Sequence, residues 1–159
     1  MTYAVSADVG HALARLRELL EELPVEWRAL PEKEAAGVAR DGAWTPKQIV
    51  GHLIDSAGVN QQRFTRGQLD GERGFHLEYP QDEFVQLNGY QQRPWADLIA
   101  LWEALNRQLL HTAERIPPGR LDRPCGVGEE DWSLRFRIAD YVAHLEHHVR
   151  QIRAFGAET

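Results

Sequence analysis

One cysteine, Cys125, is the only thiol in the chain, so no internal disulfide can staple the fold. Basic residues are also short: 18 Lys and Arg stand against 24 Asp and Glu, for a net charge of −6, and no run of them occurs. That excludes the basic stripe by which proteins grip phosphate backbones, and no nucleic-acid partner is expected. Long apolar runs are missing as well, since no segment approaches the roughly 18 continuous apolar residues of a membrane span. The opening residues, Met1-Thr2-Tyr3-Ala4-Val5-Ser6-Ala7-Asp8, lack a basic region followed by an apolar one. These absences lead to the expectation of a cytoplasmic protein with no membrane partner.

What remains is ample for a core. The 159 residues are 43% apolar and 26% charged, which suits one soluble globular domain spanning residues 1–159. Its apolar residues recur at helical spacing. Val9, Leu13, Leu16 and Leu20 share a face over residues 6–23, with Ser6 as the expected N-cap and Pro24 as the stop. Residues 24–44 keep no period and read as a connection with one helical turn. Thr45-Pro46-Lys47-Gln48 then supplies a cap, a proline at the first helical position and a capping-box glutamine, opening a second helix to about residue 68. Ile49, Val50, Leu53, Ile54, Ala57 and Phe64 form its buried stripe.

Residues 69–93 are long for a helix connection, and such a length permits neighbouring helices to run parallel. Their aromatics, Phe75, Tyr79, Phe84 and Tyr90, either cover a site or fill one end of the core. A third helix is expected over residues 94–116, with Leu98, Leu101, Trp102, Leu105, Leu109 and Ile116 inward. A fourth is capped by Ser133 and reaches Phe155, with Gly156 as its C-terminal signal. Its stripe is Leu134, Ile138, Tyr141, Val142, Leu145, Val149 and Ile152. Trp44-Thr45 and Trp132-Ser133 echo each other at the starts of the second and fourth helices.

Three of the seven histidines crowd into this last helix, at positions 144, 147 and 148. At about 100° per residue, His148 lies within the apolar stripe and His144 lies one turn earlier at its edge, while His147 turns outward. Imidazoles at i and i+4 can share one metal ion, and His52, beside the stripe of the second helix, is the candidate third donor. A His144 and His147 pair at i, i+3 is the competing arrangement, at the expense of turning the helix. His11 and His111 face away from the core stripes and read as surface residues. Histidines that merely hydrogen-bond within a core are the plain alternative to a metal site.

The chemistry of such a site is activation: a cation with an open position lowers the pKa of a bound water or thiol. Gln151, one turn after His148, and Asp140, one turn before His144, are candidates to orient the imidazoles. Tyr141 is a candidate donor to a substrate oxyanion, with core packing as its alternative role. The zinc-protease pattern His-Glu-x-x-His is absent, because Leu145 and Glu146 stand in the wrong places. A di-iron carboxylate bundle is also disfavoured, since it wants a glutamate three residues before an inward histidine and Tyr141 and Leu145 hold those positions.

Trp44-Thr45-Pro46-Lys47-Gln48-Ile49-Val50-Gly51-His52-Leu53 and His144-Leu145-Glu146-His147-His148-Val149-Arg150-Gln151-Ile152 together resemble the DinB/YfiT-like superfamily. The resemblance extends to Asp82-Glu83-Phe84-Val85 and to the third helix from Trp95 to Asn106, so it covers nearly the whole chain. It implies an all-α four-helix bundle of up-down-down-up topology, commonly a homodimer. It further implies a divalent metal held by His52, His144 and His148: zinc or nickel first, with iron, manganese or copper also compatible. Characterised relatives are similar to S-transferases and isomerases that use a low-molecular-weight thiol such as bacillithiol, mycothiol or glutathione, and others are described as metal-dependent hydrolases. The expected activity is therefore transfer of a thiol or water to a small electrophilic substrate. A metal-dependent hydrolase and a non-enzymatic metal-binding stress-response module are the alternatives.

Overall fold

A computed structural model describes residues 3–4, 6–37, 42–69, 79–125 and 132–157. Phe75, one of the aromatics of the long connection, lies outside them. Among the described residues the chain forms α1 (Val9–Ala29), the single turn α2 (Glu32–Ala35), α3 (Pro46–Arg66), α4 (Gln81–Leu87), α5 (Trp95–Glu114) and α6 (Leu134–Ala157). The only pairing of extended backbone among them is an isolated bridge between Pro124 and Ser133. No helix of the described residues is long and apolar enough to cross a membrane.

Cross-helix contacts fix the topology. Arg15 reaches Glu146 at 2.8 Å and Arg153 reaches Glu26 at 2.7 Å, so residue numbers rise together along α1 and α6, which are parallel. Lys47 Nζ meets the Arg93 carbonyl and Gln61 meets Thr112, so α3 and α5 are parallel too. Numbers run oppositely between α1 and α5, where Arg28 meets Glu103 and Arg17 meets Glu114. They do so again between α3 and α6, where Ser56 meets His144 and Phe64 meets Tyr141. The result is an up-down-down-up four-helix bundle in which α1 and α3 each pack against both α5 and α6. Parallel neighbours need a long return, and residues 67–94, including α4, supply it between α3 and α5.

The start of α3 forms as its sequence dictates. Thr45 Oγ1 accepts from the Gln48 backbone N–H at 3.3 Å, and Gln48 Oε1 accepts from the Thr45 N–H at 2.9 Å, a complete capping box with Pro46 behind it. Ser133 Oγ likewise caps α6 by accepting from the Phe136 N–H at 3.2 Å.

The ends of α1 depart from expectation. Its N-cap is Asp8, whose carboxylate accepts from the His11 N–H at 3.0 Å, not Ser6. Pro24 does not stop it; the helix continues to Ala29 with Pro24 buried inside. A proline there deprives the Leu20 carbonyl of its donor, and a guanidinium N–H of Arg107 reaches that carbonyl at 3.5 Å. The extra turn is held by Trp27, which is 1% exposed, packs edge-on to Trp102 at 4.6 Å and gives its carbonyl to Trp95 Nε1 at 2.7 Å. Burying an indole outweighs one missing helical bond. Two smaller corrections concern α5 and α6: Leu101 is 38% exposed, its place inside taken by Ile99 and Asn106, and Gly156 lies within α6 instead of ending it.

One close approach sets the region around the site. A Cβ at Gly51 would lie 2.1 Å from Tyr90 Cδ2, so the aromatic ring of the long connection rests directly on the α3 backbone. Tyr90 thus fills one end of the core.

Candidate metal centre

His52 lies about two turns into α3, on the side that faces α6, and is 0% exposed. His144 and His148 meet it from the antiparallel α6, 7% and 6% exposed. Both pairs involving His144 close at the ring tip: His52 Nε2 and His148 Nε2 each lie 3.0 Å from His144 Nε2. One donor atom from each of the three falls within 4.8 Å of the others.

The outer nitrogens define the protons. His148 Nδ1 lies 2.7 Å from Gln151 Oε1, and Gln151 Nε2 lies 3.3 Å from His147 Nε2. With the Gln151 amide oxygen toward His148, the matching tautomer has its proton on Nδ1 and a lone pair at Nε2. His144 Nδ1 faces Ser56 Oγ at 3.5 Å, and His52 Nδ1 has no partner among the described residues. His147 touches the cluster's ring edges but aims Nε2 at Gln151, so it stands beside the cluster and joins it through that amide.

Burial keeps these rings neutral. Desolvation, then the proximity of His148, pushes His52 down to about 3. Desolvation and the neighbouring imidazoles push His144 down to about 2. His148 is lowered by burial, partly offset by its bond to Gln151. Neutral imidazoles are the form that ligates a metal.

The donor set fits a divalent cation. Imidazole nitrogens about 2.0–2.1 Å from a tetrahedral ion stand about 3.3 Å apart, and the two 3.0 Å edges lie within a few tenths of an ångström of that. Apart from a cation, the inner Nε2 atoms have only one another as partners among the described residues.

Aromatic rings from irregular segments wall the cluster. Trp44, just before the α3 cap, lies 4.9 Å from the His52 ring and 6.2 Å from His148. Tyr79 stacks on His52 at 6.0 Å, and Phe84 backs Tyr79 at 5.7 Å, so this part of the long connection covers the site. Tyr3 packs edge-on to His144 at 5.0 Å. Periodicity does not reveal these three neighbours of the histidines; the excess of aromatics in the connection points to Tyr79, the Trp44-Thr45 echo marks Trp44, and nothing in the sequence marks Tyr3.

Next to His144 opens a cavity of about 220 Å³, lined by Ser56, Asn60, Arg63, Arg137 and Tyr141 among others. Of the residues singled out in the sequence, Gln151 touches an imidazole directly. Asp140 lines the cavity, but its Oδ1 accepts from the backbone N–H groups of Tyr3 and Ala4, the latter at 3.0 Å, and so ties down the N-terminal segment. Tyr141 also borders the cavity; its hydroxyl donates to Asn106 Oδ1, and burial pushes the phenol far above its usual value. His11 and His111 are exposed and away from the cluster.

The hydrogen bond from His148 to Gln151 gives a direct prediction. Gln151→Leu keeps the metal-binding capacity but lowers affinity by about 10–100-fold, the usual effect of losing a group that orients a ligating imidazole. Competition with a chromophoric chelator measures it, and unchanged affinity removes Gln151 from the site.

The profile of the DinB superfamily matches residues 10–152. A protein of Geobacillus thermodenitrificans, named provisionally as a metal-dependent hydrolase, is 28% identical over 148 residues, covering 91% of this chain and 82% of its own. Among solved structures, YfiT from Bacillus subtilis, described as a probable metal-dependent hydrolase with an unusual four-helix bundle topology, superposes with a TM-score of 0.83 at 20% identity. That match covers 94% of this chain and 86% of YfiT.

Proposed function

Since the chain belongs to the DinB superfamily, we propose that it is a divalent-metal-dependent enzyme whose cation is held by His52, His144 and His148 and whose substrate is a small electrophile. The observation that carries this is the convergence of three imidazole Nε2 atoms, that of His148 turned toward the other two while its Nδ1 lies 2.7 Å from the Gln151 amide oxygen. A divalent cation at such a set supplies Lewis acidity, which makes a water or thiol nucleophilic near neutral pH.

The chain's own residues do the rest. Trp44, Tyr79 and Tyr3 keep bulk water from three sides of the histidines, which strengthens every electrostatic interaction inside. Ser56 Oγ, 3.5 Å from His144 Nδ1, holds the orientation of that ring. The cavity beside His144 admits a substrate, which weighs against a purely structural staple, because closed sites use four protein donors and need no cavity. At about 220 Å³ it is smaller than the roughly 300–1,000 Å³ of ordinary ligand pockets, which favours a small reacting group.

Water as nucleophile is the reading favoured by the names of the Geobacillus relative and of YfiT; a low-molecular-weight thiol is the one implied by the wider family resemblance. One assay separates them. Zinc- or nickel-loaded protein is incubated with a panel of small esters, amides and alkyl halides with and without added thiol, and both thiol loss and acid release are followed. Turnover that needs thiol makes the protein an S-transferase, and turnover without it a hydrolase. No turnover above the level of the His144→Ala protein with any metal defeats the enzymatic reading.

A further inference from the structure

Three phenols line the cavity beside His144: Tyr3, Tyr79 and Tyr141. The Tyr141 proton is taken, because that hydroxyl donates to Asn106 Oδ1 in the core. Tyr3 turns its ring toward His144 and His147 from the N-terminal segment. Tyr79 is placed differently. Its ring stacks on His52 at 6.0 Å, and its hydroxyl is hydrogen-bonded to Ser56, whose Oγ lies 3.5 Å from His144 Nδ1. One phenol thus connects two of the three histidines to the cavity.

Counting protons gives this chain of groups a direction. A His144 that ligates through Nε2 carries its proton on Nδ1 and donates it to Ser56 Oγ. The Asn60 side-chain amide donates to the same oxygen at 3.4 Å. With both lone pairs of Ser56 Oγ engaged, its own proton goes to the remaining neighbour, the Tyr79 hydroxyl. Tyr79 accepts from Ser56 and keeps its own O–H, for which the described residues supply no acceptor. Hydrogen bonds in such a chain polarise one another, which strengthens the last donor.

We propose that Tyr79 is a catalytic residue, donating this hydrogen bond to a substrate oxygen that gains negative charge as the nucleophile attacks. Attack on a carbonyl carbon pushes the π pair onto oxygen, and a donor held ready in a water-poor cavity stabilises that charge. Alkyl halides have no such oxygen, so the donor favours carbonyl substrates. The inference rests on the metal reading through the Nδ1 proton of His144, since an unligated His144 can accept from Ser56 and turn the chain round.

Two probes test it by calorimetric titration of zinc-loaded and chelator-stripped protein. Acetohydroxamate binds a cation through oxygen as an anion; ethanethiol binds through sulfur and offers no oxygen. Tyr79→Phe keeps the ring on His52 and removes only the hydroxyl. It is expected to weaken acetohydroxamate at least about tenfold, the factor carried by one hydrogen bond to a charged group. Ethanethiol affinity should stay unchanged, which also reports that the variant folds and holds its metal. Ser56→Ala loosens His144 for both probes alike, but should lower the ratio of the two affinities severalfold, because Tyr79 loses the neighbour that orients its proton. Equal loss of both probes or of neither in Tyr79→Phe, an unchanged ratio in Ser56→Ala, or a wild type that binds ethanethiol and not acetohydroxamate overturns the proposal. Failure of the metal reading looks different: neither probe then distinguishes loaded from stripped protein.

Discussion

His144→Ala is expected to yield a folded protein that carries no stoichiometric cation by elemental analysis, where the wild type purified without chelator or affinity metal carries one. His144 is the most exacting position because its Nε2 lies 3.0 Å from both other donors, so its loss leaves His52 and His148 without their common neighbour. Removing a donor should cost more affinity than the roughly 10–100-fold typical of losing an orienting hydrogen bond. His52→Ala and His148→Ala should behave alike. His147→Ala is the control, since His147 meets the cluster at the edge of the His148 ring and aims its Nε2 at the Gln151 amide, not at the other three Nε2 atoms. Full metal content in His144→Ala, or its loss in His147→Ala, would sink the assignment.

The second large effect is on stability. Stripping the metal should lower the Tm by many degrees, because a cation at 1,000 times its Kd adds about 4 kcal/mol. The stripped protein should in addition become acid-sensitive. In the unfolded chain the histidines take up protons near pH 6.5, whereas in the fold His52 does so only at about 3 and His144 at about 2. The unfolded state therefore binds more protons throughout that window, and stability rises with pH there. The contribution is fully present above about pH 6.5 and is lost as pH falls toward about 3. Thermal unfolding of the stripped protein from pH 8 to pH 4 checks this. A Tm that holds level below pH 6 would contradict the burial of neutral imidazoles.

Much of the bundle is legible in the sequence because helices announce themselves through caps and period. Thr45-Pro46-Lys47-Gln48 fixes the start of α3, and Ser133 that of α6, by hydrogen bonds local to a few residues. The end of α1 is not legible, because Pro24 is tolerated only through a tertiary event: Trp27 buries against Trp102, and Arg107 of another helix reaches the Leu20 carbonyl. Leu101 misleads for a related reason, since α5 turns Ile99 and Asn106 inward to meet its neighbours.

At the site the same division holds. His144 and His148 share a face by spacing alone, and Gln151 stands one turn on, so the geometry on α6 follows from a local rule. Asp140 has similar spacing to His144, yet its carboxylate goes to the Tyr3 and Ala4 backbone, a partner more than a hundred residues away that no periodicity specifies. Trp44, Tyr79 and Tyr3 come from segments without period, and so do their positions against the rings.

The unequal sequence separation of the three histidines bears on how the protein would acquire a metal during folding. His144 and His148 are four residues apart and assemble as soon as α6 coils, whereas His52 is 92 residues from His144 and arrives only when α3 docks. Closing so long a loop is entropically slower than forming one turn. A partly folded chain would thus already grip the cation weakly through α6, and the metal would act first as a nucleus on that helix and only later as a bridge. Because such weak binding to incomplete states reduces the stabilisation that mass action confers on the folded one, added metal should speed refolding more than its gain in equilibrium stability would suggest.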